Sequence, residues 1–62
     1  MKTEIRQMVT GKVLFEGEAR VVYPFGDVII EWIQVIGDCL TVTVREDVKV
    51  MLGEDGSLRI NY

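Results

Sequence analysis

Residues 28–44 read VIIEWIQVIGDCLTVTV and form the most apolar, most strand-like part of this 62-residue chain. A Gly-Asp pair in the middle separates two β-branched runs, and glycine suits the first position of a two-residue type II′ turn. The stretch therefore predicts a β-hairpin in which Ile36 lies opposite Cys39. Counting outward from that pair places Trp32 opposite Thr43.

Because side chains alternate between the two faces of a strand, the hairpin register also predicts which residues share a face. The face expected to cover the core carries Ile29, Ile33, Val35, Leu40, Val42 and Val44. Glu31 falls on the same face, where a carboxylate is costly unless it is solvated or paired. Its position predicts either the rim of the sheet or a basic partner.

The first strand of this hairpin is apolar on its other face as well. That face carries Val28, Ile30, Trp32 and Ile36. A strand that covers one small core needs apolar residues on one face only, so the amino-terminal half, another copy or a ligand is expected to cover the surplus. We interpret these four residues as the centre of a subunit or partner interface, since so short a chain has little material for a second layer.

The last hairpin is predicted by comparing loop lengths. A three-residue loop at residues 54–56 brings Leu52 opposite Leu58 and extends the apolar pairing outward, whereas a two-residue loop mixes the faces. The longer pairing also sets Val50 opposite Ile60, Val48 opposite Tyr62 and, on the other face, Met51 opposite Arg59. It places Gly56 at the left-handed position of a type I turn with a G1 bulge.

The first half of the chain is less regular. Residues 12–15 and 19–23 are expected strands around an EGE turn, followed by a turn at residues 23–27. Residues 3–10 have the spacing of a short helix, yet the segment is so brief that an extended arm or edge strand is preferred. At residues 46–47 the chain is expected to turn or to pass through a bulge.

These elements predict an all-β fold with a single domain over residues 1–62. The expected architecture is a five- to six-stranded antiparallel meander, either a small SH3-like barrel or an open sheet that packs in an oligomer. Phe15 and Tyr62 are expected in the core.

Composition restricts the function. The net charge of −3 and the scattered lysines and arginines make nucleic-acid binding unfavourable. Residues 1–11 lack the apolar block of a signal peptide, no later run is long enough for a membrane span, and a single cysteine fits a reducing compartment. The cytoplasm, with no membrane attachment, is the expected location.

The sequence favours a protein without enzymatic activity, cofactor or metal. There is no histidine, which removes the commonest general base and metal ligand. Ser57 is expected to serve the turn, and Cys39 to be a small apolar residue, since no cation is predicted beside it. The acidic pairs at residues 16 and 18, 46 and 47, and 54 and 55 all fall at predicted turns, where carboxylates usually serve solubility.

Two functions follow as expectations. The first is a protein–protein interaction module, itself a homo-oligomer or bound to a protein partner, of the small regulatory or accessory class. The alternative is a small β-barrel that binds a small ligand or single-stranded nucleic acid through an aromatic platform of Tyr23, Phe25 and Trp32.

Overall fold

The computed structural model describes residues 1–24, 28 and 30–62. Over these residues the chain forms seven strands in two sheets, confirming the all-β class. The strands are β1 (Lys2–Gln7), β2 (Val13–Glu18), β3 (Val21–Pro24), β4 (Ile30–Ile36), β5 (Cys39–Val44), β6 (Lys49–Leu52) and β7 (Ser57–Asn61).

The first sheet has four strands in the order β2-β1-β5-β4. β1 runs antiparallel to β2 and parallel to β5, with Ile5 aligned with Phe15 on one side and with Val42 on the other. Residues 3–7 are therefore extended, as preferred, but they belong to an interior strand and not to an arm or an edge. The expected antiparallel meander is wrong at this point, because a parallel pair joins strands that are far apart in the chain.

The second sheet has three strands in the order β3-β7-β6 and is also mixed. β3 lies parallel to β7, and β6 lies antiparallel to it. β2 and β3 thus belong to different sheets and do not form the expected hairpin around EGE. The two sheets do not close, so the barrel expectation is not met. The turn predicted at residues 23–27 lies partly outside the described residues.

Both predicted hairpins are present, and the pairings next to each turn are the predicted ones. In the first, Ile36 is opposite Cys39; Gly37 has a φ of 59° and Asp38 does not have a positive φ, as a type II′ turn requires. In the second, Leu52 is opposite Leu58, Val50 opposite Ile60 and Met51 opposite Arg59. The predicted pairing of Val48 with Tyr62 lies beyond the last aligned pair, Lys49 with Asn61.

Gly56 occupies the left-handed position of the second turn, as predicted, with a φ of 84°. The turn is held by backbone hydrogen bonds from the Gly53 N–H to the Ser57 carbonyl (2.8 Å) and from the Gly56 N–H to the Gly53 carbonyl (3.1 Å). The Arg20 N–H donates to the Gly56 carbonyl (2.7 Å), which attaches this turn to the entry of β3.

The core lies between the two sheets. Its buried side chains are Ile5, Ala19, Val42, Val44, Leu58 and Ile60. Phe15 packs against this cluster, as expected, whereas Tyr62 is 46% exposed and the expectation of a core position for it is wrong. The Cα radius of gyration of 10.6 Å is what a single packed domain of this length should have.

The segment between β5 and β6 carries the chain from the first sheet to the second. It bends at Arg45 and Glu46, which agrees with the turn expected near residues 46–47. The Gln7 side-chain amide donates to Asp47 Oδ1 (2.6 Å) and so ties this crossing to the end of β1.

The loop before β7 contains a carboxylate whose charge stabilises the turn. Asp55 Oδ1 accepts hydrogen bonds from the Ser57 hydroxyl (2.6 Å) and the Ser57 backbone N–H (3.0 Å). These bonds, the hydroxyl first, lower the pKa of Asp55 from its ordinary value of 3.8. The pKa of Asp55 is lower in the folded state than in the unfolded state. The contribution of the Asp55 charge to the free energy of unfolding is therefore complete above about pH 3.8 and is lost as the pH falls through the folded-state pKa.

We therefore expect Asp55→Asn to lower the melting temperature at neutral pH by an amount that shrinks on acidification below about pH 3.8. Thermal melts followed by circular dichroism across this range check it, with Glu54→Gln on the same loop as the control. A deficit for Asp55→Asn that stays constant down to strongly acidic pH would contradict this assignment.

The described residues contain no helix, and so no helix among them could span a membrane.

Candidate functional site

The carboxyl-terminal part of β4 is an apolar surface that the described part of the fold leaves uncovered. Four of its five residues are large, apolar and more than half exposed. They are Trp32 (62%), Ile33 (58%), Val35 (58%) and Ile36 (67%), and we call them the β4 edge patch. Gln34 is the fifth residue, so no charge interrupts the segment.

A β-bulge at Glu31 determines which residues of β4 face outward. Ile30 is aligned with the buried Val44, and the next aligned pair is Trp32 with Thr43, so Glu31 is the extra residue. Ile30 consequently faces the core, which corrects the expectation that it shares a face with Trp32. Regular alternation resumes after the bulge, with Trp32 and Ile36 on the outer face.

The four residues of the predicted interface thus fall into two pairs. Val28 and Ile30 are half-buried against the core, whereas Trp32 and Ile36 are exposed. The interface itself stays a prediction, but its accessible part is limited to the second pair.

Ile33 and Val35 were expected in the core, and this is wrong. They do lie on the core-facing side of the sheet, aligned with Val42 and Leu40 respectively. However, the second sheet has one strand fewer than the first, and it covers β2, β1 and β5 better than β4. After its bulge, β4 has no opposing layer among the described residues, so both of its faces are accessible there. Ile29, which was also expected in the core, lies outside the described residues.

An ion pair borders the patch. Arg45 Nε lies 2.8 Å from Glu31 Oε1, and the Glu31 side chain is 25% exposed. This is the basic partner that the sequence predicted as one of two possibilities. The pair neutralises the only carboxylate of β4, so no net charge opposes an apolar contact at this end of the strand.

The two described residues of the predicted aromatic platform lie on different sheets. Trp32 points outward from the first sheet, because the next pair along the strands, Ile33 with Val42, lies on the core-facing side. Tyr23 is aligned with Arg59. In β7, Arg59 lies between Leu58 and Ile60, which are buried, so by alternation both Arg59 and Tyr23 point outward from the second sheet. Phe25 lies outside the described residues. The two described rings are thus on different sheets and cannot stack on one ligand.

The polar residues considered for chemistry are dispersed. Glu16 pairs with Lys2 (3.2 Å) and Glu18 with the amino terminus (3.1 Å). Lys2 is aligned with Cys39 in the neighbouring strand, so a basic residue that was not expected lies next to this half-buried cysteine, although its ammonium group pairs with Glu16. Within the part of the chain that the structure describes, no three acidic or cysteine residues cluster as metal ligands would.

An open groove of about 430 Å³ runs beside β6 and β7. It is lined by Lys49, Val50, Met51, Arg59 and Asn61. Two of these residues are apolar and three are polar or charged, and they form no convergent set of catalytic groups. The groove therefore offers a weaker basis for function than the β4 edge patch.

Comparisons with protein-family models, with curated proteins and with solved structures found no match to this chain.

Proposed function

We propose that this chain is a non-enzymatic protein–protein interaction module that assembles with itself through the β4 edge patch. The observation that supports this most strongly is that four large apolar side chains are exposed on both faces of one edge strand. The other exposed apolar residues are spread over several elements, a distribution that is normal for a protein surface. A contiguous apolar patch without charged residues is the kind of surface that marks an interface.

The magnitude of this exposure is consistent with a real but modest assembly. Pairing at the edge covers only part of each exposed side chain and contributes about 1 kcal/mol per residue, or roughly 8 kcal/mol for the patch in two copies. Association itself costs an estimated 4–15 kcal/mol. Apolar burial alone therefore supports a weak complex, and backbone pairing at the open edge has to contribute the rest.

A small regulatory or accessory subunit fits this proposal. Such a protein needs a folded body and one persistent contact surface, and it needs no reactive centre. Two architectures are expected from the sequence. The proposal corresponds to the second of them, an open sheet that packs in an oligomer.

The only tryptophan of the chain lies in the patch and reports on the assembly. We expect its emission maximum to shift to longer wavelength as the protein is diluted, because dissociation returns a 62% exposed indole to water. A dilution series followed by steady-state fluorescence measures this, with free tryptophan as the control for instrument response. An emission maximum that does not move over the series, in a protein with the mass of one chain, would contradict self-assembly.

A further inference from the structure

We infer that two copies join by antiparallel pairing of β4 with β4, with Gln34 on the two-fold axis, so that the two four-stranded sheets become one continuous sheet. This inference rests on the proposed function and specifies its geometry. The occupant of the open edge is a second copy of the chain, and four observations support that choice.

The first is the direction of the free backbone groups of β4. Residues flanking a two-residue turn are hydrogen bonded to each other, so Ile36 and Cys39 form a hydrogen-bonded pair. Hydrogen-bonded and non-hydrogen-bonded pairs alternate along an antiparallel ladder. The N–H and C=O groups of Val35 and Ile33 therefore point away from β5, toward the open edge.

The second observation is that this edge is self-complementary in one register. Only residues whose backbone groups point outward can pair, which leaves axes at Ile33, Gln34 or Val35 for a symmetric dimer. With the axis at Gln34, the Ile33 and Val35 of each copy exchange hydrogen bonds, and Trp32 lies opposite Ile36. All of these apolar residues then meet apolar residues, and Gln34 meets its own counterpart.

The other two registers are less favourable. An axis at Ile33 sets Glu31 opposite Val35, and an axis at Val35 sets Trp32 opposite Asp38. The first register includes the bulged residue, where the regular ladder is interrupted, and the second brings the Asp38 carboxylate against an apolar side chain, where its desolvation is not compensated.

The third observation is the contrast with the other edge strands of the described chain. Edges are commonly protected from pairing by charged residues or proline. β2 carries Glu16 and Glu18, β3 ends at Pro24, and β6 begins at Lys49. The segment of β4 after its bulge carries neither device, although β4 is the longest of the seven strands.

The fourth observation is the area. The exposed part of the patch in both copies is on the order of 1,000 Å², which is the upper limit of what pairing can bury and is near the lower limit for a specific interface. The edge can therefore support a dimer if the side chains on both faces of β4 take part.

A cysteine cross-link tests the pairing. In a Cys39→Ser background, Gln34→Cys places two thiols at a non-hydrogen-bonded pair, where Cα atoms lie about 4.5 Å apart, within disulfide range. Thr41→Cys in the same background is the matched control, because Thr41 is aligned with Gln34 on the same face but one strand further in. Its two copies would lie about 14 Å apart across three strand spacings.

We expect mild oxidation to convert most of the Gln34→Cys chains to a covalent dimer and only a minor fraction of the Thr41→Cys chains, as measured by non-reducing gel electrophoresis. Equal cross-linking of the two would overturn edge pairing in favour of face-to-face packing. Faster cross-linking of Ile33→Cys or Val35→Cys than of Gln34→Cys would overturn the register.

The outcomes also separate this inference from the proposed function. If Gln34→Cys does not cross-link while light scattering still gives the mass of two chains, the pairing is wrong and self-assembly stands. If no variant cross-links and the wild-type protein has the mass of one chain at every concentration, both the pairing and self-assembly are wrong. The β4 edge patch would then have to bind a different protein.

Discussion

Leu58→Ala should lower the free energy of unfolding by about 3 kcal/mol, whereas Leu52→Ala should lower it by less than about 1 kcal/mol. The two leucines are directly opposite each other in the β6–β7 hairpin, so their local backbone context is closely matched. Leu58 is fully buried and belongs to the core cluster, while Leu52 is 50% exposed at the edge of its sheet. The difference therefore measures burial and the cavity left behind, not strand propensity.

The effect is large relative to what so small a domain can lose. A 62-residue domain has a stability of roughly 3–9 kcal/mol, so Leu58→Ala should remove at least about a third of it. Urea denaturation of both variants and of the wild-type protein at one fixed chain concentration measures the loss. Both substitutions leave β4 unchanged, which keeps assembly constant. Similar losses for the two leucines would contradict the position of the core between the sheets.

The local elements of this fold can be predicted from the sequence because their signals are local. Gly37 at the first position of a two-residue loop favours the type II′ turn, and the loop length before Ser57 follows from matching apolar residues in two adjacent strands. In both cases a few neighbouring residues determine the register.

The parallel pairs could not be predicted in the same way. Lys2 aligns with Cys39 and Val21 with Ser57, and between these partners lie whole strands of the other sheet. Such pairings depend on how the two layers fit together and leave no local signature, so a meander was the natural but incorrect expectation. The bulge at Glu31 was missed for a related reason, because it depends on how β4 fits against β5 and against the core.

Two of the four residues of the β4 edge patch could be identified from the sequence. The excess of apolar residues correctly singled out Trp32 and Ile36 as residues that the single chain does not bury. Ile33 and Val35 were expected in the core because the alternation of side chains predicts which face of the sheet they lie on. It does not predict whether the opposing sheet is wide enough to cover them. The signal that could have found them is that the strand is apolar on both faces, which also fits a strand with no cover on either side.

Trp32→Asp is the substitution with the largest expected effect on assembly. It should weaken self-association by about a hundredfold or more, equivalent to roughly 3 kcal/mol, because a carboxylate would replace the largest apolar side chain of the interface in both copies. The fold of the single chain should persist, since the side chain is already 62% exposed. Circular dichroism checks the fold, and sedimentation equilibrium measures association.

Met51→Asp is the matched control for that variant. Met51 is 69% exposed and is aligned with Arg59 on the outer face of the second sheet, away from β4. It loses a comparable exposed apolar side chain and gains the same charge. We expect it to associate as the wild-type protein does. Equal weakening by both substitutions would show that added charge, and not the patch, controls association.

The most direct test of the central claim is the mass of the wild-type protein in solution, measured by sedimentation equilibrium over a wide range of concentrations. If the β4 edge patch joins two copies, the mass approaches twice the chain mass of 7.1 kDa as concentration rises, while Trp32→Asp stays at 7.1 kDa. A wild-type protein that remains at 7.1 kDa at every concentration would contradict the account.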